Sequence, residues 1–189
     1  MTEENRRLLS GIPSLTGTPP DLDVSALPAD PVETFIAWLT AAVDGAVLEP
    51  RSATLSTVDS AGIPDARVLV LRDVGDRGWA FGSTASSRKG AQLAANSGAA
   101  MSFWWPEQMR AVRLLGEAIE ASAQESAADL ARRHPVAQAR IADGDWRVWW
   151  LRPSRVEFWQ GAADRDHLRI VYTRGDSGWS YDVTNDGSS

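Results

Sequence analysis

Hydrophobic positions in this chain fall into short segments separated by clusters of Gly, Pro, Asp and Ser, and most of those segments have strand character. The clearest helix is early. Asp30 followed by Pro31 supplies a capping carboxylate and then a proline at the first helical position. Phe35, Trp38, Leu39 and Val43 recur at helical spacing, and Asp44-Gly45 closes the segment. Ala53 to Val58, Ala66 to Leu71 and a segment starting at Trp79-Ala80-Phe81 then read as an antiparallel meander, with turns at 59–64 and 73–78. Ser86 or Ser87 caps a helix reaching about Asn96, with Leu93 facing inward. Ala99 to Trp105 and Met109 to Ile119 return to strand character. Ser122 to Glu125 is a capping box that opens a helix to about Arg133, and Pro135 to Ala142 suggests another short one. Trp146 to Leu151 is ambiguous between strand and helix. Ser154 to Trp159, Leu168 to Thr173 and Trp179 to Asp182 read as the last strands.

Many strands with few, peripheral helices predict a mainly β domain, a closed or partly closed barrel, over residues 30–183. Residues 1–29 are polar and rich in Pro, Gly, Thr and Asp, and read as a flexible arm. Residues 184–189 read as a disordered tail. The nine tryptophans are many for 189 residues. Adjacent strand residues face opposite sides, so Trp104-Trp105 and Trp149-Trp150 cannot all be core, and some indoles must lie at an interface or a ligand.

Composition narrows the chemistry. Cysteine is absent, which removes disulfides, thiolate metal sites and a cysteine nucleophile. Two histidines, His134 and His167, are too few for a histidine-based metal cluster. A net charge of -6 argues against nucleic acid as the main partner. No apolar run approaches a membrane span and the first residues lack a secretory core, so a cytoplasmic location is the default expectation. No Gly-rich dinucleotide loop, P-loop or G-x-S-x-G element occurs.

Three constellations remain. Arg67-Val68-Leu69-Val70-Leu71-Arg72 is a strand with charged ends, and taken alone it is ordinary core. In Gly82-Ser83-Thr84-Ala85-Ser86-Ser87-Arg88-Lys89 a strand leads through small hydroxyl residues into a helix start bearing two cations, one of them the only lysine of the chain. Free N–H groups, hydroxyls and cations suit a phosphate. Cations at a helix start also oppose the macrodipole, which favours an anionic ligand over a solvated cap. The third is Glu157-Phe158-Trp159-Gln160-Gly161 with Arg165, His167 and Arg169 after it. In an extended segment the last three would share one side, a cationic face beside an aromatic plane.

In this order and spacing, with Gln92-Leu93, Asn96 and Arg110-x-Val112-x-x-x-Gly116 between them, these elements resemble the pyridoxine (pyridoxamine) 5′-phosphate oxidase family. The resemblance covers about Asp30 to Asp182 and implies an FMN-binding split β-barrel that forms a homodimer. By it, Arg67 and Lys89 would hold the FMN phosphate with help from Ser83 and Arg88. The strand of Val68, Leu69, Val70 and Arg72 would run along the flavin, and Trp159 and Arg169 would reach it from the partner subunit. Arg165 and His167 would be the catalytic pair over the substrate ring, with Arg72 and Arg133 as further substrate contacts. The implied reaction is oxidation of a CH–NH2 or CH–OH carbon by flavin, with O2 as acceptor. Oxidation of a different, non-phosphorylated ring, as in phenazine-type metabolism, and a flavin or deazaflavin reductase or carrier are the alternatives. The departures are specific. Arg72 stands where the family has lysine. Asp129, Arg133 and Ala137 stand at the family's tyrosine, arginine and serine of the substrate-phosphate pocket. Ala111 replaces a glutamine and Gly82 a tyrosine. An aspartate at 129 would repel a phosphate.

Overall fold

A computed structural model of the chain describes residues 2–186. Eight antiparallel strands form one sheet: β1 (Ser52–Val58), β2 (Pro64–Gly75), β3 (Gly78–Thr84), β4 (Gly98–Trp105), β5 (Arg110–Glu120), β6 (Trp146–Gln160), β7 (Leu168–Gly175) and β8 (Gly178–Asn185). Their order is β3-β2-β1-β4-β5-β6-β7-β8, and an extra pairing of β3 with β6 closes the first six into a barrel. The helices are α1 (Glu3–Ser10), α2 (Pro31–Asp44), α3 (Arg88–Ala95), α4 (Ala123–Ala131) and α5 (Pro135–Gln138). They lie around the barrel, as expected of a mainly β chain. No helix among the described residues is long and apolar enough to cross a membrane.

The barrel fills because inward positions of its strands are large and apolar. Phe35 of α2 plugs it, 5.4 Å from the Trp79 ring and 5.0 Å from Phe103. The buried stripe of α2 is Phe35, Trp38 and Ala42. Val43 is instead 57% exposed, because a position eight residues after Phe35 has rotated off the face. The tryptophan pairs split as alternation demands: Trp105 and Trp149 are buried, whereas Trp104 is 48% exposed.

Two strands depart from the sequence reading. β2 does not turn at Asp73 but continues to Gly75. The register jumps between Leu71 and Asp73, so Arg72 is the extra residue of a β-bulge. Trp146–Gln160 is a single strand of 15 residues rather than an ambiguous segment followed by a strand. A second register shift, opposite Leu115 and Gly116, accommodates Pro153 within it. Gly116 is required there, since a Cβ would sit 2.1 Å from the Arg152 carbonyl oxygen. The first half of β6 pairs with β3 and the second half with β7, so one strand belongs to both the barrel and the outer hairpin.

The N-terminal segment carries helix α1 and several contacts to the barrel. Thr2 caps α1, with its side chain accepting from the Asn5 amide. Residues 16–21 hold no helix or strand, but the segment is fastened to the barrel. The Thr18 amide donates to Glu107 O (2.9 Å), buried Arg110 donates to Pro20 O (3.3 Å), and the Tyr172 hydroxyl donates to Pro28 O (2.8 Å). Leu22 and Leu27 pack on the core. Arg110 also stacks on Trp38 at 4.2 Å, and burial pushes its pKa down to about 10. At the other end, Thr184 and Asn185 belong to β8, and residues 187–189 of the expected tail lie outside the described residues.

Candidate functional site

A cleft of about 770 Å³ opens between the middle of β2, the end of β3, the start of α3 and the segment joining α4 to β6. Val68, Leu69, Val70 and Arg72 supply one wall. Val68 and Val70 are 69% and 39% exposed on that wall, apolar surface that the barrel does not cover. Ser83 and Lys89 supply a second wall, and Arg133 and Trp146 a third. No acidic side chain lines the cleft among the described residues, while Arg132, Arg140 and His134 add to its cations.

The second wall is a helix start. Ser87 caps α3, its hydroxyl accepting from the Gly90 amide at 3.2 Å and donating to Thr84 O at 2.7 Å. The Ser83 hydroxyl lies 3.1 Å from it. Lys89 lines the cleft with Ser83 and has no acidic partner among the described residues. Burial, and then the nearby Arg67 charge, lower its pKa from 10.5. A half-buried ammonium opposed by a guanidinium is an electrostatic cost that an anion would relieve.

Arg67 and Arg88 stand outside the cleft lining. Arg67 donates to Thr57 Oγ1 (2.6 Å), Gln92 Oε1 (2.9 Å) and Asp65 Oδ2 (2.8 Å), which fixes its guanidinium behind the α3 start. Arg88 is 73% exposed and pairs with Asp65 at 3.1 Å. Arg72, carried out of the ladder by its bulge, donates from Nε (3.0 Å) and Nη2 (2.9 Å) to Asp129 Oδ1. Asp129 therefore does not stand as a bare repulsive charge; it is buried and ion-paired. Its second oxygen accepts from Trp146 Nε1 at 3.0 Å. Trp146 lies over Gly82, where a Cβ would come within 2.3 Å of the indole, so a side chain there would displace the ring. Arg133 stacks on the other part of this wall, 4.2 Å from the Trp146 ring, and its buried Nε has no partner. Ala137 also lines the cleft.

The residues of the third motif form a separate cluster. Trp159 pairs with Arg169 across β6 and β7 and with Ala111 across β5 and β6. Its ring lies 6.2 Å from Trp104 and 5.0 Å from His167. The expected single cationic face of Arg165, His167 and Arg169 is not formed, because β7 begins only at Leu168. Arg165 sits in the preceding turn with φ 71°. The His167 Nδ1 accepts from the Ala162 amide at 3.0 Å, and Arg169 donates to Glu157 Oε1 at 2.6 Å. Glu157 is the hub that the sequence reading passed over: buried, it also receives Arg155 (2.7 Å) and Arg113 (3.0 Å). Burial raises its pKa, but the Arg155 hydrogen bond and the Arg113 and Arg169 charges outweigh that and hold it below 4.5. None of Trp159, Arg165, His167 and Arg169 lines the 770 Å³ cleft.

Glu157, Asp65, Gln92 and Thr57 each orient a candidate residue; Glu157 and Gln92 stand within motifs named above, but nothing local marks them as partners of these arginines. The available signal was the excess of arginine at half-buried strand positions, which requires acidic partners.

A closed antiparallel barrel with a cation-lined cleft at a helix start belongs to a class of small-molecule-binding split barrels, and the comparisons with known proteins specify which. The family model described as pyridoxamine 5′-phosphate oxidase matches residues 39–160, and that of the pyridoxine 5′-phosphate oxidase C-terminal dimerisation region matches residues 146–183. Pyridoxine/pyridoxamine 5′-phosphate oxidase of Paraburkholderia phytofirmans is 36% identical over 187 aligned residues, covering 82% of this chain and 87% of that protein. The protein of the same name from Thermosynechococcus vestitus is 35% identical, covering 79% and 86%. Among solved structures, PhzG from Burkholderia lata, in complex with tetrahydrophenazine-1-carboxylic acid, superposes with a TM-score of 0.81 at 22% identity, covering 89% of this chain and all of that one. An FMN-binding protein of Nostoc punctiforme, related to pyridoxamine 5′-phosphate oxidase, gives 0.64 at 21% identity, covering 85% and 98%. The chain belongs to the pyridoxamine 5′-phosphate oxidase family.

Proposed function

We propose that the protein is an FMN-dependent oxidase that works as a homodimer. The observation carrying this reading is Lys89: a half-buried ammonium without an acidic partner among the described residues, in the first turn of α3 and lining the cleft with Ser83. That set suits a phosphate monoester. Next to it, the uncovered side chains of Val68 and Val70 suit a flat ring. The residues present therefore fit FMN. Lys89 and Ser83 would hold its phosphate, with Arg67 fixed behind them by Thr57, Gln92 and Asp65, and Arg88 at the rim. The strand of Val68, Leu69 and Val70 would run along the ring system, with the Val68 and Val70 side chains facing it.

FMN, when bound, would supply two-electron redox chemistry, with a substrate CH–NH2 or CH–OH carbon as reductant and O2, reduced to hydrogen peroxide, as acceptor. The chain's own part is to position the substrate carbon and to exclude water. Trp159, Arg165, His167 and Arg169 lie within the region matched by the dimerisation model. Our reading is that the partner subunit brings them to this cleft, where Trp159 and Arg169 meet the cofactor and Arg165 and His167 close over the substrate. Arg72 and Arg133 border that substrate from this subunit.

The test is direct. Protein purified from flavin-replete cells should show oxidised-flavin absorbance at about one FMN per chain and a dimeric mass. Mixing it with candidate amines and alcohols without oxygen should bleach that absorbance, and admitting air should restore it with release of peroxide. A colourless protein that takes up no FMN overturns the reading.

A further inference from the structure

We propose that Asp129 sets the substrate specificity of this cleft, and that it selects an unphosphorylated flat ring against a phosphate ester. The inference rests on the cofactor reading above and deepens it.

Arg72 is the side chain that the β2 bulge aims away from the ladder, and it is the cation of the strand wall. A guanidinium binds phosphate best through two adjacent N–H groups on one edge. Here Nε and Nη2, which form one such edge, both donate to Asp129 Oδ1. Asp129 is 4% exposed, and its other oxygen is taken by Trp146. Arg132 also approaches Asp129, at 3.7 Å. A phosphate ester at this end could use that edge of Arg72 only by displacing a buried carboxylate from it. That is unfavourable, because it would leave the carboxylate buried without its partner.

The same contact builds a surface of another kind. Anchored through its Nε1, Trp146 packs against Gly82, which leaves the ring room by having no side chain. Arg133, another cation of this cleft, stacks on the indole instead of projecting freely. The indole itself is buried at 7% exposure, so what this wall offers the cleft is the Arg133 guanidinium laid over it, a plane suited to stacking on a flat ring. Asp129, Arg72, Trp146 and Gly82 act as one unit, and replacing Asp129 alone changes both the charge and the wall.

Calorimetric titration of the flavin-loaded dimer with pyridoxine and with pyridoxine 5′-phosphate tests this. The wild-type protein should bind the phosphorylated ring no tighter than the plain one. Asp129→Asn keeps the size and a hydrogen-bond acceptor for Trp146 while freeing the Arg72 edge. It should tighten pyridoxine 5′-phosphate at least tenfold and change pyridoxine less than threefold. Asp129→Ser, tested in case the Asn variant does not fold, should shift the ratio in the same direction. A tenfold wild-type preference for the phosphorylated ring overturns the proposal. So does an unchanged ratio in whichever of these variants is folded and flavin-loaded. Flavin content is read on the same samples: a wild-type protein without flavin fails the cofactor reading, whereas an unchanged preference in the loaded variant fails only this one.

Discussion

Two clusters of cationic side chains in this protein handle charge in opposite ways. At the start of α3, Lys89 is left without an acidic partner and Arg67 stands behind it. Across β5, β6 and β7, Arg113, Arg155 and Arg169 all converge on one buried carboxylate, Glu157. The first arrangement is costly in the unliganded chain and is suited to receiving an anion. The second is satisfied internally, fixes side-chain positions on three strands and leaves a surplus of positive charge at the surface. Equal residue types therefore do not imply equal roles, and what separates them is the presence of a buried acid.

The sharpest way to break this contrast is to remove the hub. Glu157→Ala would leave three arginines facing one another. Losing one partner of a buried ion pair costs about 3–5 kcal/mol, and the partial exposure of the arginines reduces this to about 2–3 kcal/mol. Melting should fall by about 5–10 °C. The pH dependence has a defined sign. Because the folded-state pKa of Glu157 lies below 4.5, its contribution is complete above that value and disappears as pH falls through the lowered pKa. The wild-type protein should lose stability below pH 4.5 more steeply than the variant.

Next in size is Lys89→Met. Loss of a charge-assisted contact to phosphate, about 1.5–3 kcal/mol, should weaken FMN binding roughly tenfold to a hundredfold in a fluorescence titration. The unliganded protein should not be destabilised. The folded state lowers the Lys89 pKa, so the charged form is a cost at every pH below that lowered value. As pH rises through it, the lysine becomes neutral and wild-type FMN affinity should decline, a limb that the Met variant should lack. Arg88→Ala should matter least. Arg88 is 73% exposed and already paired with Asp65, so the affinity change should stay below about threefold.

Much of the frame was readable because local rules act alone there. Asp30-Pro31 and Ser122 with Glu125 start α2 and α4 as their capping chemistry requires, and Ser87 caps α3. The alternation in 66–71 gave β2 its two faces. The bulge at Arg72 and the continuity of β6 through Pro153 were not readable, since both are set by the pairing strand rather than by the residues themselves. The site divided in the same way. Lys89 and Ser83 could be found because a helix start is a local feature, and the structure gathers them with Val68, Leu69, Val70, Arg72 and Arg133. The expected row of Arg165, His167 and Arg169 failed because the Asp164 side chain accepts from the Asp166 amide and the Arg165 amide bonds Ala162 O, which folds that stretch into a turn. Asp129 shows the limit of reading a position by its charge: 57 residues separate it from Arg72, and only the fold makes them a pair.

Strand β6 has a consequence for how an assembly would behave. Trp146 at its first residue walls the cleft, and Trp159 near its last belongs to the other cluster. Thirteen residue steps of extended backbone lie between them, a contour of about 43 Å. A single copy thus carries two clusters joined by one hydrogen-bonded strand. In a two-fold dimer of the kind proposed, each such strand would begin in one active site and end in the other. Strain at either end would then be transmitted along backbone, not through a loop, so the two sites would share a mechanical element even without sharing a ligand.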